Sequence, residues 1–119
     1  MILVDTSVWV EHLRRRSASL VGLLDRGQVA CHPFVIGEIA LGTLKNRAEI
    51  LDLLSELPSA RVVRHEDALA LIDARALSGS GVGWVDVHLA ASALVERWPL
   101  WTLDRRLDAV VRTLNAAWP

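Results

Sequence analysis

The stretch Ile2-Leu3-Val4-Asp5-Thr6-Ser7 restricts the fold of this chain more than any other. Three successive apolar residues, two of them β-branched, read as a short strand buried on both faces, the habit of strands in parallel α/β sheets. A carboxylate follows at once, ahead of two hydroxyl residues suited to a helix start. An unpaired acid beside a core is costly, so Asp5 is expected to cap a helix, pair with a cation or bind a metal.

The 119 residues are 52% hydrophobic, enough for one sizeable core and no second, so residues 1–119 are expected to form a single domain. A net charge of -1 excludes a protein that holds nucleic acid by bulk positive charge. The lone Cys31 forms no internal disulfide and anchors no multi-cysteine zinc site, which suits a reducing compartment. Nothing resembling a leader or an apolar run long enough to span a bilayer is present, and a cytoplasmic location is expected.

Along the chain, strands and helices alternate. Ser7 to Arg15 reads as a helix with Val8, Leu13 and Trp9 inward and Arg14-Arg15-Arg16 at its cation-favouring end. Ser17 caps a second helix that stops at Gly27. Gln28 to His32 forms a second strand, and Pro33 opens a helix through Leu41. Asn46 with Glu49 suggests a capping box for a helix over 47–57, and Pro58 stops it. Arg61 to Arg64 reads as a third strand and Glu66 to Leu77 as a helix. The loop Ser78-Gly79-Ser80-Gly81-Val82-Gly83 leads into a nearly all-apolar helix from Trp84, Leu100 to Leu103 gives a fourth strand, and Arg105 to Leu114 a last helix.

Of fourteen acidic residues, ten are explained by solvated helix faces and four are not. Asp5 and Asp104 end apolar strands, Glu38 lies in the first half of the helix after the second strand, and Asp86 lies in the first turn of the apolar helix. In an open parallel sheet these places gather on the edge where such folds bind ligands. Four carboxylates held together repel one another, which makes sense chiefly if a cation compensates them or some stay protonated. Oxygen-only donors suit Mg²⁺ or Mn²⁺, which keeps part of its water shell and takes further ligands from a phosphate.

Blander readings stand beside this. Asp5 and Asp104 suit helix N-caps, Asp86 a first-turn dipole partner, and Glu38 a buried acid paired with an arginine. His88 on an apolar face reads as a core or supporting histidine, and His32 beside Cys31 makes a poor zinc site. Thr6, Ser7 and Thr102 flank the acids and suit a water or a phosphate oxygen. Arg105 and Arg106 suit the nucleic-acid backbone or a neighbouring acid, while Trp9 and Trp84 stand close enough in sequence to the acids to stack a base.

Four segments in order carry a family resemblance: Val4-Asp5-Thr6-Ser7-Val8, the Glu38 helix, Gly83 to Ala93, and Leu100 to Leu107 with Thr102-Leu103-Asp104. Together they resemble PIN-domain ribonucleases, and most of all the VapC-type toxins of toxin and antitoxin pairs. The resemblance implies a three-layer α/β/α fold with a central parallel sheet of four to five short strands, and Mg²⁺- or Mn²⁺-dependent endonucleolytic cleavage of single-stranded or structured RNA. It implies Asp5, Glu38, Asp86 and Asp104 as the acidic, metal-holding site with Thr6, Ser7 and Thr102 in support. It also implies a homodimer silenced by a VapB-type antitoxin, whose C-terminal segment packs along the toxin in an apolar groove and pushes a basic side chain toward the acids.

A haloacid-dehalogenase-type phosphatase would carry a second Asp where Ser7 stands, and a receiver domain would show paired acids after the first strand and a late Lys where Arg105 stands. The remaining alternative is a PIN-like module that binds RNA or a partner without cutting.

Overall fold

The computed structural model describes all 119 residues. In chain order the elements are β1 (Ile2–Val4), α1 (Thr6–Arg14), α2 (Ala18–Asp25), β2 (Val29–Ala30), α3 (Pro33–Ala40), α4 (Arg47–Glu56), α5 (His65–Ala74), α6 (Trp84–Glu96), β3 (Leu100–Trp101) and α7 (Arg105–Thr113). The sheet order is β2-β1-β3 and every pairing is parallel. Leu3 lies opposite Ala30 on one side and Leu100 on the other, so β1 is the central strand. Parallel neighbours require helical crossovers, and helices covering the sheet account for the burial of the whole Ile-Leu-Val run.

A core of 23 buried residues joins β1 to Val8 and Trp9 of α1, Leu20 and Leu23 of α2, Val35 and Ile39 of α3, Leu89, Ala90 and Ala93 of α6, and Leu107, Val110 and Val111 of α7. In α6 every residue from Val87 to Ala93 is buried, as the apolar run predicts. No helix is long and apolar enough to cross a membrane.

Several local expectations are corrected. The sheet has three strands, not four to five, and residues 61–64 form none. Pairing at that edge is used up earlier: Cys31 bridges Ser59 alone, with Cys31 N–H donating to Pro58 C=O at 2.8 Å and Ala60 N–H to Cys31 C=O at 2.8 Å. The chain beyond is tied to α6 by side chains, the Ser92 hydroxyl donating to Arg61 C=O at 2.6 Å and Arg61 pairing with Glu96 at 2.9 Å. At the other edge Leu100 bridges Ala117 alone. The missing strands are thus reduced to one-residue bridges.

The Asn46–Glu49 capping box does not form either. Asn46 is left-handed, at φ 56°, and makes no side-chain cap bond, whereas a capping side chain needs extended backbone to reach back. Leu13 is 37% exposed, since it faces a groove and not the core. That groove, about 470 Å³, runs between α1, α2 and α4 and is lined by Trp9, Leu13, Leu24, Ile50, Leu53 and Leu57 among others.

Candidate active site

Asp5 leaves the central strand and enters α1 as its N-cap, and the first turn of that helix folds back over the carboxylate. Asp5 is 5% exposed, and its Oδ2 accepts from Ser7 Oγ at 2.7 Å, from Thr102 Oγ1 at 2.7 Å and, longer, from Ser7 N–H at 3.4 Å. Ser7 Oγ in turn accepts from Leu103 N–H at 2.9 Å, and Thr102 Oγ1 from Asp104 N–H at 3.0 Å. Both hydroxyl protons are spent on Asp5, so the 3.3 Å approach of Ser7 Oγ to Thr102 Oγ1 is a contact without a proton of its own. This network locks the end of β1 to the end of β3.

Asp104 caps α7 with Oδ1, which accepts from Arg106 and Leu107 N–H at 2.9 Å each. Asp86 reaches back one turn, its Oδ2 accepting from Gly83 N–H at 3.2 Å at the start of α6. Glu38 is fixed by the Thr6 hydroxyl, which donates to Oε1 at 2.7 Å. The expectation that Glu38 lies in the first half of its helix is corrected, since it sits in the second half of α3; the blander reading as a buried acid paired with an arginine does not hold either, since Glu38 is exposed and its partner is Thr6.

The four acids are close enough to feel one another. The Asp86 carboxyl is pushed above its ordinary value first by burial and then by the charges of Asp5, Asp104 and Glu38, against the opposing Gly83 hydrogen bond. None of the four lies in an ion pair; the salt bridges of the molecule all lie elsewhere. Each acid has one oxygen held by the chain, while Asp5 Oδ1, Glu38 Oε2, Asp86 Oδ1 and Asp104 Oδ2 make no hydrogen bond to the protein. The buried side-chain atoms without partners are Trp9 Nε1 and His88 Nδ1, so Asp5 Oδ1 reaches solvent despite its residue's burial.

No three acids or histidines close into a ready cage for an ion. Mutual repulsion holds uncompensated carboxylates apart, and an ion that keeps several waters needs no tight protein cage. The all-oxygen donor set, its free oxygens and the absence of an ion pair to any of the four acids together fit a hydrated Mg²⁺ or Mn²⁺.

An aromatic series that the sequence did not announce links α3, α5 and α6. His32 meets Phe34 at 4.9 Å between ring centres, Phe34 meets His88 at 5.0 Å, His88 meets Trp84 at 4.6 Å, and Trp84 meets His65 at 5.2 Å, all edge-on. Trp84 remains 40% exposed two residues ahead of Asp86, whereas Trp9 is buried and cannot stack a base. His32 is no metal ligand in this arrangement. Its Nδ1 accepts from Phe34 N–H at 2.9 Å as the N-cap of α3, and Nε2 meets Ser92 Oγ at 3.0 Å. Because Ser92 gives its proton to Arg61 C=O, His32 must be the donor in that contact, which assigns the neutral Nε2–H tautomer.

The profile of the PIN domain matches residues 2–112, nearly the whole chain. The chain belongs to the PIN-domain family. Among curated relatives, Ribonuclease VapC32 of Mycobacterium tuberculosis, in each of two strains, is 53% identical over 110 residues, which cover 92% of this PIN domain and 89% of the relative. Among solved structures, a toxin-antitoxin complex from Klebsiella pneumoniae contains a chain that superposes with a TM-score of 0.69 over 87% of each chain at 20% identity, a likeness of fold. The three-layer α/β reading of the sequence thus holds in this PIN domain, with the strand count corrected.

Proposed function

We propose that this PIN domain is a metal-dependent endoribonuclease, acting as one domain over residues 1–119 in the cytoplasm, and the toxin half of a toxin and antitoxin pair. The observation that carries the reading is the set of four carboxylates at one sheet edge, each with one oxygen held by the chain and one free, and with no cation paired to any of them. The 53% identity to Ribonuclease VapC32 supports RNA as the substrate class.

In this reading Asp5, Glu38, Asp86 and Asp104 are the metal-holding and catalytic acids. A divalent ion held by them would supply Lewis-acid stabilisation of phosphate charge and would lower the pKa of a bound water. Asp5 presents Oδ1 in one direction because Ser7 and Thr102 fix Oδ2, and Glu38 presents Oε2 because Thr6 fixes Oε1. The Asp86 carboxyl is raised by burial and then by the charges of the other three acids, so a cation bound among them would relieve it. Trp84, Arg105 and Arg106 form the rim on the RNA side, where an unpaired base stacks and phosphates are held.

The groove between α1, α2 and α4 suits an apolar segment of a VapB-type antitoxin, a partner supported by the relative's name and by the Klebsiella pneumoniae complex. A homodimer belongs to the same reading, and light scattering would report twice 13.1 kDa.

The test is cleavage of total cellular RNA by purified protein in Mg²⁺, Mn²⁺ or EDTA, beside Asp86→Asn. Discrete metal-dependent fragments that vanish in the variant support the nuclease and give its target. Intact RNA with retained ion binding overturns catalysis in favour of a binding module.

A further inference from the structure

Gly81 lies in the loop that leads into α6 and has φ +86°. A Cβ built on it would stand 2.9 Å from Arg106 Cδ, 3.1 Å from Nε and 3.3 Å from Cζ, so a side chain at this position would push the end of Arg106 aside. The Arg106 side chain therefore rests against this loop in a seat that glycine leaves open. At its other end Arg106 is anchored by its own N–H, which donates to Asp104 Oδ1 at 2.9 Å. The residue thus spans from the Asp104 cap to the loop that delivers Asp86.

Its guanidinium is not claimed by any acid. Arg15, Arg61, Arg64 and Arg112 are paired with carboxylates, and Arg106 is not, although it stands beside an acidic cleft. We infer that Arg106, held in its seat on Gly81, grips a phosphate of the RNA backbone beside the bond to be cut. The inference rests on the nuclease reading and deepens it by choosing Arg106 over Arg105. A chain of net charge -1 with four carboxylates in its cleft repels a polyanion, so its hold on RNA has to come from single cations at the rim. A guanidinium offers a planar fork of donors matched to phosphate oxygens, and one already resting on backbone loses less freedom when it binds.

Gly79 supplies an internal control. Its φ is +76°, yet a Cβ there meets nothing within 4 Å. Gly79→Ala strains the loop without touching Arg106, and Gly81→Ala does both.

The experiment measures initial rates on total cellular RNA over a range of RNA and KCl concentrations, for wild type, Arg106→Gln, Gly81→Ala, Gly79→Ala and the double variant Gly81→Ala/Arg106→Gln. Losing one single-strand phosphate contact flattens the slope of log affinity against log salt by about 0.7, which at about 0.1 M salt is roughly fivefold. Arg106→Gln should raise KM roughly fivefold with kcat little changed and flatten the slope of kcat/KM by that amount. Gly81→Ala should reproduce it, Gly79→Ala should not, and the double variant should be no worse than Arg106→Gln. An unaltered salt slope in Arg106→Gln, or a Gly79→Ala defect equal to that of Gly81→Ala, overturns the phosphate grip while leaving the nuclease standing. A wild type that leaves all RNA intact overturns both.

Discussion

His32 makes the stability of this fold depend on pH in a direction and over a window that can be worked out. Wholly buried and neutral, it holds the start of α3, the helix that carries Glu38, and ties it through Ser92 to the chain at Arg61. Unfolded, it takes up a proton near 6.5; folded, burial and then the charge of His88 push it down to about 4. Between these values the unfolded chain binds more protons, so the contribution of His32 to stability is fully present above 6.5, falls as the pH falls, and is lost by about 4. The full span is worth about 3 kcal/mol, of which about 2 kcal/mol has gone at pH 5. Urea unfolding at pH 8 and pH 5, for wild type and His32→Asn, measures it. Asn can still accept from Phe34 N–H as an N-cap but has no proton to gain, so the variant should be less stable at pH 8 by about 1–2 kcal/mol and show a flatter pH dependence. If wild type and variant lose equal stability between the two pH values, His32 is not the titrating group and the reasoning fails.

Asp5→Asn should abolish RNA cleavage with the far-UV circular dichroism spectrum unchanged, since Asn can still cap α1; a loss of fold would show that the charge is structural. In EDTA, Asp86→Asn should raise Tm, because it removes one of four uncompensated charges and the burial cost that lifts the Asp86 carboxyl; a lower Tm would mean the acids do not strain the apo fold. Thr102→Val should cost about 2 kcal/mol in urea unfolding, as the buried Asp5 loses a charge-assisted donor and Asp104 N–H an acceptor. The Cys31 thiol, 1% exposed and pushed by burial up to about 11, should resist a thiol reagent in the native protein and react on unfolding. Leu53→Asp, in the exposed wall of the α1–α2–α4 groove, should leave RNA cleavage intact and weaken silencing by the cognate antitoxin; unchanged silencing would move the docking surface elsewhere.

The parts of this fold legible in the sequence are those where a local pattern and a global need coincide. Ile2 to Asp5 shows both the double-sided burial of β1 and the cap that follows, and the apolar run after Trp84 shows its burial just as directly. The four acids could be picked out because each interrupts or ends apolar sequence, and in the structure the charges of the other three act on Asp86. Residues 61–64 misled because two adjacent β-branched valines fit a short strand, while the partner backbone was already used by Pro58 and Ala60. The Asn46 box had the right residues on the wrong backbone. Contacts between distant residues left no local trace: nothing near Gly81 in the sequence points to Arg106, and nothing near His32 points to Ser92.

The central position of β1 carries a consequence for folding. β1 needs partners on both sides, and one of them, Leu100–Trp101, lies about a hundred residues further along the chain. Such long-range parallel pairing makes for high contact order and late consolidation. Asp5 and Asp104 meet only when β3 docks, because the Thr102 hydroxyl joins them. A chain cut before β3 therefore carries Asp5, Glu38 and Asp86 but neither Asp104 nor the Thr102 hydroxyl that fixes Asp5, so the site is assembled only when the last strand pairs.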